Sequence, residues 1–327
     1  MIAEILDKVL EGPIVGSFSR VGSDVRSRAE RWTSLDDYDL RDKVILLTGS
    51  TSGIGLAAAG QFAAMGATLI VNGRRPDKNE RVVNELIASS QNPNVSQIAA
   101  DMGDLEQVEH LAREVLEKFD RLDVLAHNAG ALIAERKESP QGIEATVASQ
   151  VVGPFLLTHL LLDRLEHAGD GRVLTMSSGG MYGAPLTISN LQMRSDDYNG
   201  TAQYARTKRA QVTLNEMWAD HDPGSTVRFH ALHPGWVDTP GVDDALPGFA
   251  KVMGPILRTP EQGADTLVWL AADDTPLRSN GKFWHDRRIR NIHKFPTTRN
   301  TDTASRRKQL WAWVSEAATV EQRGTDK

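Results

Sequence analysis

Residues 44–55 read Val-Ile-Leu-Leu-Thr-Gly-Ser-Thr-Ser-Gly-Ile-Gly, and this stretch decides the fold. Its apolar start is rich in β-forming residues, as in a strand buried within a parallel sheet. Three glycines follow, and then Leu56 to Met65 has the composition of a helix. A helix that begins after such a turn points its free N–H groups and its positive dipole end at an anion. The stretch therefore predicts a phosphate-binding βα unit.

The glycine spacing departs from the usual dinucleotide fingerprint. It is Gly-x-x-x-Gly-x-Gly rather than Gly-x-Gly-x-x-Gly, and short glycine motifs also occur in βα turns that bind no ligand. The alternative is an ordinary turn without a ligand, and the rest of the chain must distinguish between the two. The predicted phosphate-contacting residues are Gly49, Ser50, Thr51, Ser52, Gly53, Ile54 and Gly55.

Composition excludes several classes of protein. The chain has 327 residues, a formal net charge of -6 and no cysteine. The acidic balance argues against nucleic acid as a partner. The lack of cysteine excludes disulfides, thiolate metal sites and a cysteine nucleophile, and we predict no metal site. The sequence shows neither a signal-peptide pattern nor an apolar run of membrane-spanning length, so we expect a cytoplasmic protein without an integral membrane segment.

From residue 44 onward, strand-like and helix-like segments alternate. Strands are predicted over residues 44–47, 68–71, 95–100, 122–126, 172–176, 227–232 and 282–284. Helices are predicted over 56–65, 76–88, 105–119, 141–167 (bent near Gly153-Pro154), 203–221 and 260–270. Repeated βα units predict a Rossmann-type, doubly wound parallel sheet in a three-layer α/β/α fold, with ligands at the carboxyl ends of the strands.

One domain is predicted over residues 42–285, because neither an internal repeat nor a low-complexity linker divides the chain. Residues 1–41 form an N-terminal extension with a short amphipathic helix and an Arg-rich segment from Val21 to Trp32. Such an arm can bind a membrane surface, but packing on its own domain or on a neighbouring subunit is favoured because acidic residues are interspersed. Residues 286–327 are predicted to form a polar, partly mobile tail.

Small and polar residues stand at the predicted strand ends, where a cofactor would lie. The second strand is followed by Arg74 and Arg75, which fit the additional phosphate of NADP, whereas NAD-binding proteins carry an acidic residue there. Two solvent-facing arginines are the alternative, but we favour NADP(H) over NAD(H). Asp101 and Met102 end the third strand, where the adenine edge and face would lie. Further strand ends carry Asn128, Ala129, Gly130, Ser178, Pro234 and Gly235.

Tyr204 and Lys208 stand four residues apart on a predicted helix and therefore share one of its faces. A tyrosine with a pKa near ~10 is a poor base at neutral pH. A neighbouring ammonium group and an oxidised nicotinamide favour the phenolate and lower that pKa. The Ser178 hydroxyl would stabilise negative charge on a substrate oxygen. Alone, a Tyr-x-x-x-Lys pair is more often a surface feature, but beside the glycine loop and Ser178 it indicates a catalytic site.

Five motifs in this order resemble the short-chain dehydrogenase/reductase family over about residues 42–285. They are Thr48-Gly-x-x-x-Gly53-Ile-Gly55, Asn128-Ala-Gly130, Ser178, Tyr204-x-x-x-Lys208 and Pro234-Gly235-x-Val-x-Thr239. The resemblance implies NAD(P)(H)-dependent interconversion of alcohols and carbonyls in a small-molecule substrate, and a possible homo-oligomer. It implies Tyr204 as acid and base, Lys208 on the nicotinamide ribose and Ser178 on the substrate. Val237 and Thr239 would lie near the nicotinamide carboxamide.

Finer features narrow the resemblance. The insertion before Tyr204 is similar to that of retinol-dehydrogenase-like members, and the runs 199–209, 233–241 and 261–266 resemble the dehydrogenase/reductase member 12-like group. The loop 240–257 is apolar and predicts a lid over a lipophilic substrate, with a dimer contact or core packing as the alternative. Its apolar residues are Val242, Leu246, Phe249, Val252, Met253, Ile256 and Leu257.

Gln150 departs from the family pattern, which has asparagine three residues before the glycine that is Gly153 here. The resemblance implies that this asparagine holds a helix bend and a water that links Lys208 to solvent. Glutamine adds a methylene group, so an oxidoreductase with an altered proton relay is predicted. The alternatives are a dinucleotide-binding protein with weak or lost turnover and, less favoured because no added substrate domain is evident, a nucleotide-sugar epimerase-type member.

Overall fold

The computed structural model describes residues 2–11, 14–239, 248, 251 and 253–319, and these residues form an eight-stranded sheet in the order β3-β2-β1-β4-β5-β6-β7-β8. Neighbouring strands are parallel from β3 to β7, and β8 is antiparallel to β7. The strands are β1 (Val44–Thr48), β2 (Thr68–Gly73), β3 (Val95–Ala99), β4 (Val124–His127), β5 (Arg172–Met176), β6 (Arg228–Leu232), β7 (Lys282–His285) and β8 (Arg288–Ile289). The strand order reverses between β1 and β4, which is where this fold class binds ligands.

Helices connect the parallel strands, and further helices precede β1 and follow β8. The helices are α1 (Ile2–Glu11), α2 (Ile14–Phe18), α3 (Arg20–Glu30), α4 (Gly53–Ala64), α5 (Pro76–Ser90), α6 (Leu105–Lys118), α7 (Ala145–Val147), α8 (Gly153–His167), α9 (Gly200–His221), α10 (Pro260–Ala272), α11 (Pro296–Thr301) and α12 (Ala304–Ala317). Capping side chains fix several helix starts: Asn199 accepts from Ala202 N, and Thr259 forms a capping box with Gln262. Such caps satisfy N–H groups that the helix itself leaves free.

Two apolar layers cover the two faces of the sheet. Successive residues of β1 point to opposite faces, so Leu46 packs with α6, α8 and α9, whereas Ile45 and Leu47 pack with α4 and α10. All three side chains are fully buried. The predicted three-layer α/β/α fold is therefore confirmed.

The long helix predicted over residues 141–167 begins later and bends as expected. Glu144 caps it by accepting from Thr146 N and Val147 N. A π-helical turn, Ala148–Val152, then joins α7 to α8 just before Gly153. A Cβ at Gly153 would lie 2.0 Å from the carbonyl oxygen of Met102, so only glycine allows the bent helix to approach that backbone.

Within the described ranges, Ala145–His167 is also long and apolar enough to cross a membrane by length and composition. This finding differs from the expectation that the sequence contains no apolar run of membrane-spanning length. Most of this segment is buried inside the protein, and its residues belong to the core under the sheet. Such burial is typical of a core helix.

The segment after Asp286 is more ordered than predicted. It forms β8, α11 and α12, and the side chains of Leu310 and Val314 on α12 are completely buried in the core on the α6–α8 face. The expectation of a polar, partly mobile tail is therefore wrong for residues 287–319. The contact with the core is formed by a few apolar residues at helical spacing, Leu310 and Val314 among them. The average composition of the segment is polar and therefore does not reveal them.

The N-terminal arm, defined here as α1, α2 and α3, is joined to the rest of the chain by buried ion pairs. Arg26, with 1% of its side chain exposed, binds Asp7 of the arm at 2.8 Å and Asp286 at 2.6 Å. Arg258 binds the same Asp286 carboxylate at 2.6 and 2.9 Å. The structure thus places the arm against its own chain.

Candidate active site

The glycine loop connects the end of β1 to the start of α4. Gly49 and Gly53 have φ values of +65° and +52°, a region that favours glycine. A Cβ at Gly55 would lie 2.1 Å from the carbonyl oxygen of Gly49, so the loop backbone folds tightly on itself. Among the described residues, the side chain of Ser52, the N-cap of α4, makes no capping hydrogen bond. An uncapped helix start behind a close-fitting glycine loop fits a phosphate group.

The loop is braced from β4 through Thr48 and Asn128. The Thr48 hydroxyl oxygen accepts from the backbone N–H groups of Asn128 and Ala129, both at 3.1 Å. In return, the Asn128 side-chain amide donates to the carbonyl oxygens of Thr48 at 3.1 Å and Gly49 at 3.0 Å. Asn128 and Ala129 therefore hold the shape of the loop, and the amide nitrogen of Asn128 is already engaged.

A second brace comes from β2, and sequence reasoning missed it. The Ser50 hydroxyl donates to the carbonyl oxygen of Asn72 at 3.1 Å and accepts from its N–H at 3.0 Å. The Asn72 side-chain amide donates in turn to the carbonyl oxygen of Ile98 at the end of β3. The signal was available, because a buried asparagine at the end of an apolar strand needs polar partners.

Arg74 and Arg75 lie at the end of β2 with exposed side chains. The Arg74 guanidinium is 3.8 Å from the Asp101 carboxylate, and 76% of the Arg74 side chain is exposed, so it is open to a further anionic partner. Met102 differs from expectation. Its side chain is 3% exposed and packs in the hydrophobic core, so in this arrangement it does not present a face to an adenine ring.

Ser178, Tyr204 and Lys208 meet at the carboxyl end of β5. Burial raises the pKa of Tyr204 to about 12, an effect that the nearby Ser178 hydroxyl partly offsets. The Lys208 ammonium lies 5.2 Å from the centre of the Tyr204 ring and donates to the carbonyl oxygen of Met176 at 2.9 Å. Burial lowers the pKa of Lys208 to about 7. The tyrosine pKa in the protein alone is therefore raised, not lowered as the lysine was expected to make it.

Gln150 lies in the π-helical turn and faces the loop after β4. Its side-chain amide donates to the carbonyl oxygen of Ala131 at 2.8 Å. Its backbone carbonyl accepts from the Gln211 side chain at 2.7 Å. Within the described part of the chain, its side-chain oxygen is buried without a hydrogen-bond partner. The predicted bend is present, but the side chains of Gln150 and Gln211 already donate hydrogen bonds to backbone carbonyl oxygens around it.

The segment after β6 lies beside the glycine loop. Gly235 has a φ of +84°, and a Cβ there would lie 2.3 Å from Nε of Arg258. Val237 is buried and pairs through a β-bridge with Arg258. A Cβ at Gly53 would lie 3.3 Å from the Thr239 methyl group, so the segment from Pro234 to Thr239 closes one side of the site.

The predicted lid falls mainly outside the described residues. Val242, Leu246, Phe249 and Val252 are all outside them. Of the remaining lid residues, Met253 precedes a short helical turn, Gly254–Ile256, and Leu257 is buried. The lid therefore stays a prediction.

A family model described as short chain dehydrogenase matches residues 43–247, which include the glycine loop, Ser178, Tyr204 and Lys208. The chain belongs to the short-chain dehydrogenase family. As a family member it is an oxidoreductase with an NAD(P)-binding Rossmann fold, and the resemblance drawn from its motifs is confirmed.

Known members of the family match most of the chain. It is 37% identical over 277 residues to dehydrogenase/reductase SDR family member 12 of Homo sapiens, covering 84% of this chain and 86% of that protein. It is 30% identical to retinol dehydrogenase 12 of Bos taurus, with the same shares covered. A solved structure from Escherichia coli CFT073, described as a short-chain dehydrogenase complexed with NADPH, has a TM-score of 0.63 and 25% identity, covering 78% of this chain and all of that one.

The glycine loop yields a matched pair of variants. Gly55→Ala should weaken NADPH binding by about 10-fold, because overpacking of this kind costs about 1–3 kcal/mol and would displace the loop backbone. Gly60→Ala lies on the same helix with open space around its Cβ position. It should leave binding unchanged and stabilise the fold by about 0.5–1 kcal/mol. Fluorescence titration with NADPH and urea unfolding measure both effects; equal affinity in the two variants would contradict the proposed cradle.

Proposed function

We propose that this protein is an NADP(H)-dependent oxidoreductase that interconverts a carbonyl and an alcohol on a lipophilic small molecule, with Tyr204, Lys208 and Ser178 as its catalytic residues. The observation that carries the proposal is their meeting at the carboxyl end of β5, where the Lys208 ammonium lies 5.2 Å from the centre of the Tyr204 ring and the Ser178 hydroxyl is close enough to lower the Tyr204 pKa. The nucleotide supplies or accepts the hydride.

Tyr204 transfers the proton in this proposal. With its pKa raised to about 12 by burial, its phenol is protonated at neutral pH. A protonated phenol is the form that can donate to the oxygen of a carbonyl as hydride arrives at its carbon. Oxidation of an alcohol needs the phenolate instead, and a nearby positive charge favours that form.

Ser178 and Lys208 support that transfer. The Ser178 hydroxyl, which lies near Tyr204, would hold the substrate oxygen and stabilise its developing negative charge. The Lys208 ammonium would bind the nicotinamide ribose, and its position on the same helix face as Tyr204 keeps its charge close to the phenol. Gln150 would alter the route by which Lys208 exchanges protons with solvent, since its carbonyl at the helix bend is bonded to Gln211.

The NADP(H) preference rests on Arg74 and Arg75. Both follow β2, neither is buried, and no acidic residue stands between Asn72 and Arg75. A guanidinium binds phosphate through charge-assisted, often bidentate hydrogen bonds, so these side chains favour the additional phosphate of NADP. The NADPH in the Escherichia coli structure supports this choice. The similarity to a retinol dehydrogenase supports a lipophilic substrate.

Turnover and its dependence on Tyr204 test the function. Purified protein with NADPH should reduce at least one of three probes: all-trans-retinal, a long-chain aldehyde or a steroid ketone. Tyr204→Phe should lose about 10²-fold or more of that rate, since it removes the proton donor, and should still bind NADPH. Tyr38→Phe is the control, because the Tyr38 hydroxyl bonds Asp273, which follows α10, instead. Full activity in Tyr204→Phe would refute the assignment, and NADPH binding without any turnover would favour the binding-protein alternative.

Cofactor choice is tested separately at Arg74. Arg74→Asp should weaken NADP+ binding by about 10-fold or more, because it replaces a charge-assisted bond worth about 1.5–3 kcal/mol with repulsion. NAD+ binding should hold or improve. Arg194→Asp provides a control, as the Arg194 side chain is 78% exposed and follows β5 rather than β2. Calorimetric titration with both nucleotides gives the ratio; an unchanged ratio in Arg74→Asp would exclude this residue as the selector.

A further inference from the structure

The backbone of the N-terminal arm at Ser17 and Phe18 is built into the body of the protein. The Ser17 carbonyl oxygen accepts from the Arg258 guanidinium at 3.0 Å and is 3.2 Å from the His285 ring nitrogen. The Phe18 carbonyl oxygen accepts from Trp236 N at 2.7 Å and from the Arg258 guanidinium at 3.2 Å. Groups from distant parts of the chain therefore satisfy the carbonyls at the end of α2.

The Phe18 ring reaches the backbone next to the catalytic serine. It is 3% exposed, and its ring centre lies 4.2 Å from that of His233 and 5.8 Å from that of Trp236, both edge to face. A Cβ at Gly179 would lie only 2.8 Å from the Phe18 ring. Phe18 thus packs directly on the residue that follows Ser178.

The turn under Phe18 begins with two consecutive glycines, Gly179 and Gly180. Ser178 starts a short helical turn, Gly179–Gly183, and its hydroxyl accepts from Gly180 N at 3.3 Å. Two consecutive glycines leave the backbone more freedom than any other pair of residues. Groups outside the turn therefore help to set the orientation of the Ser178 hydroxyl. The rings of Phe18 and His233 lie against Gly179, the residue next to Ser178. Ala205 lies beside Gly180, and Arg209 donates to the carbonyl oxygen of Met181 further along the turn.

Buried charges fix the arm in this place. Burial alone would raise the pKa of Asp286, but His285 and the guanidiniums of Arg258 and Arg26 outweigh it and hold that pKa well below its usual value. Arg26 also binds Asp7 and Glu11 of the arm. Removing one partner of a buried pair is strongly destabilising because it leaves the other charge uncompensated, so these ion pairs hold the arm against the rest of the chain.

We infer that Phe18 is a positioning residue of the active site: through Gly179 it orients Ser178, and through its carbonyl it holds Trp236 in the segment that closes the site. The N-terminal arm is then required for efficient turnover, although it lies outside the βα units. The kinetic part of this inference rests on the proposed function; the structural part does not.

Hydrogen–deuterium exchange of the full-length protein tests the structural part without a substrate. In Phe18→Ala, peptides that cover residues 177–183 and 233–237 should exchange faster than in the unmodified protein. Phe229→Ala is the matched control. Phe229 is as buried as Phe18, but it lies on β6 and stacks on Trp218 of α9, away from the turn. That control should lose similar thermal stability and leave both peptides unchanged. If Phe18→Ala releases the whole arm, seen as full exchange over residues 14–30, Phe18→Leu carries the same comparison.

Kinetics test the consequence. With the carbonyl probe that the unmodified enzyme reduces, Phe18→Ala should lower kcat by about 10-fold or more, because misplacing a catalytic group by 1 Å costs about 10²-fold. NADPH affinity should be nearly unchanged, Phe18→Leu should recover part of the rate, and Phe229→Ala should keep it. Unchanged exchange in both peptides, or an equal loss of kcat in the two alanine variants, would overturn the inference. If no probe is turned over, the proposed function fails while the exchange result still decides this one.

Discussion

The close approach of the backbones that follow β1 and β4 is the constraint on which the site depends. Gly49 packs on Ala129, and Gly55 packs on Gly49, at distances that leave no room for a Cβ. Thr48 and Asn128 lock this contact with reciprocal hydrogen bonds. The strand order reverses here, so the connection after β1 goes to one face of the sheet and the connection after β4 goes to the other. A crevice is left between them, and the rest of the site is arranged around this crevice.

Burial determines the charges around that crevice. Tyr204 is partly buried and Lys208 is almost fully buried, which raises the pKa of the phenol and lowers that of the ammonium. Both shifts favour neutral groups, so the protein alone holds a protonated tyrosine. At the arm, by contrast, Asp286 stays ionised despite burial because guanidinium groups surround it. The same physical effect yields opposite results according to whether a compensating charge is near.

Much of this arrangement was predictable from the sequence, because its parts are local. Alternating apolar runs located the first seven strands, and the i, i+4 spacing brought Tyr204 and Lys208 onto one helix face. The docking of the arm and of α12 was not predictable, since it depends on contacts between residues far apart, such as Arg26 with Asp286. The burial of Met102 was not predicted for a related reason. The alternation of side chains between the two faces of the sheet ends with β3 and does not extend into the turn that contains Met102.

The central claim is that the nucleotide held at the glycine loop exchanges hydride with a carbonyl placed beside Tyr204. The most direct measurement uses NADPH deuterated on one face of its nicotinamide C4, each face in turn, with an aldehyde or ketone that the protein consumes. Mass spectrometry of the product alcohol should show one deuterium on the carbinol carbon for one of the two faces and none for the other. An alcohol that carries no deuterium from either cofactor would contradict the account.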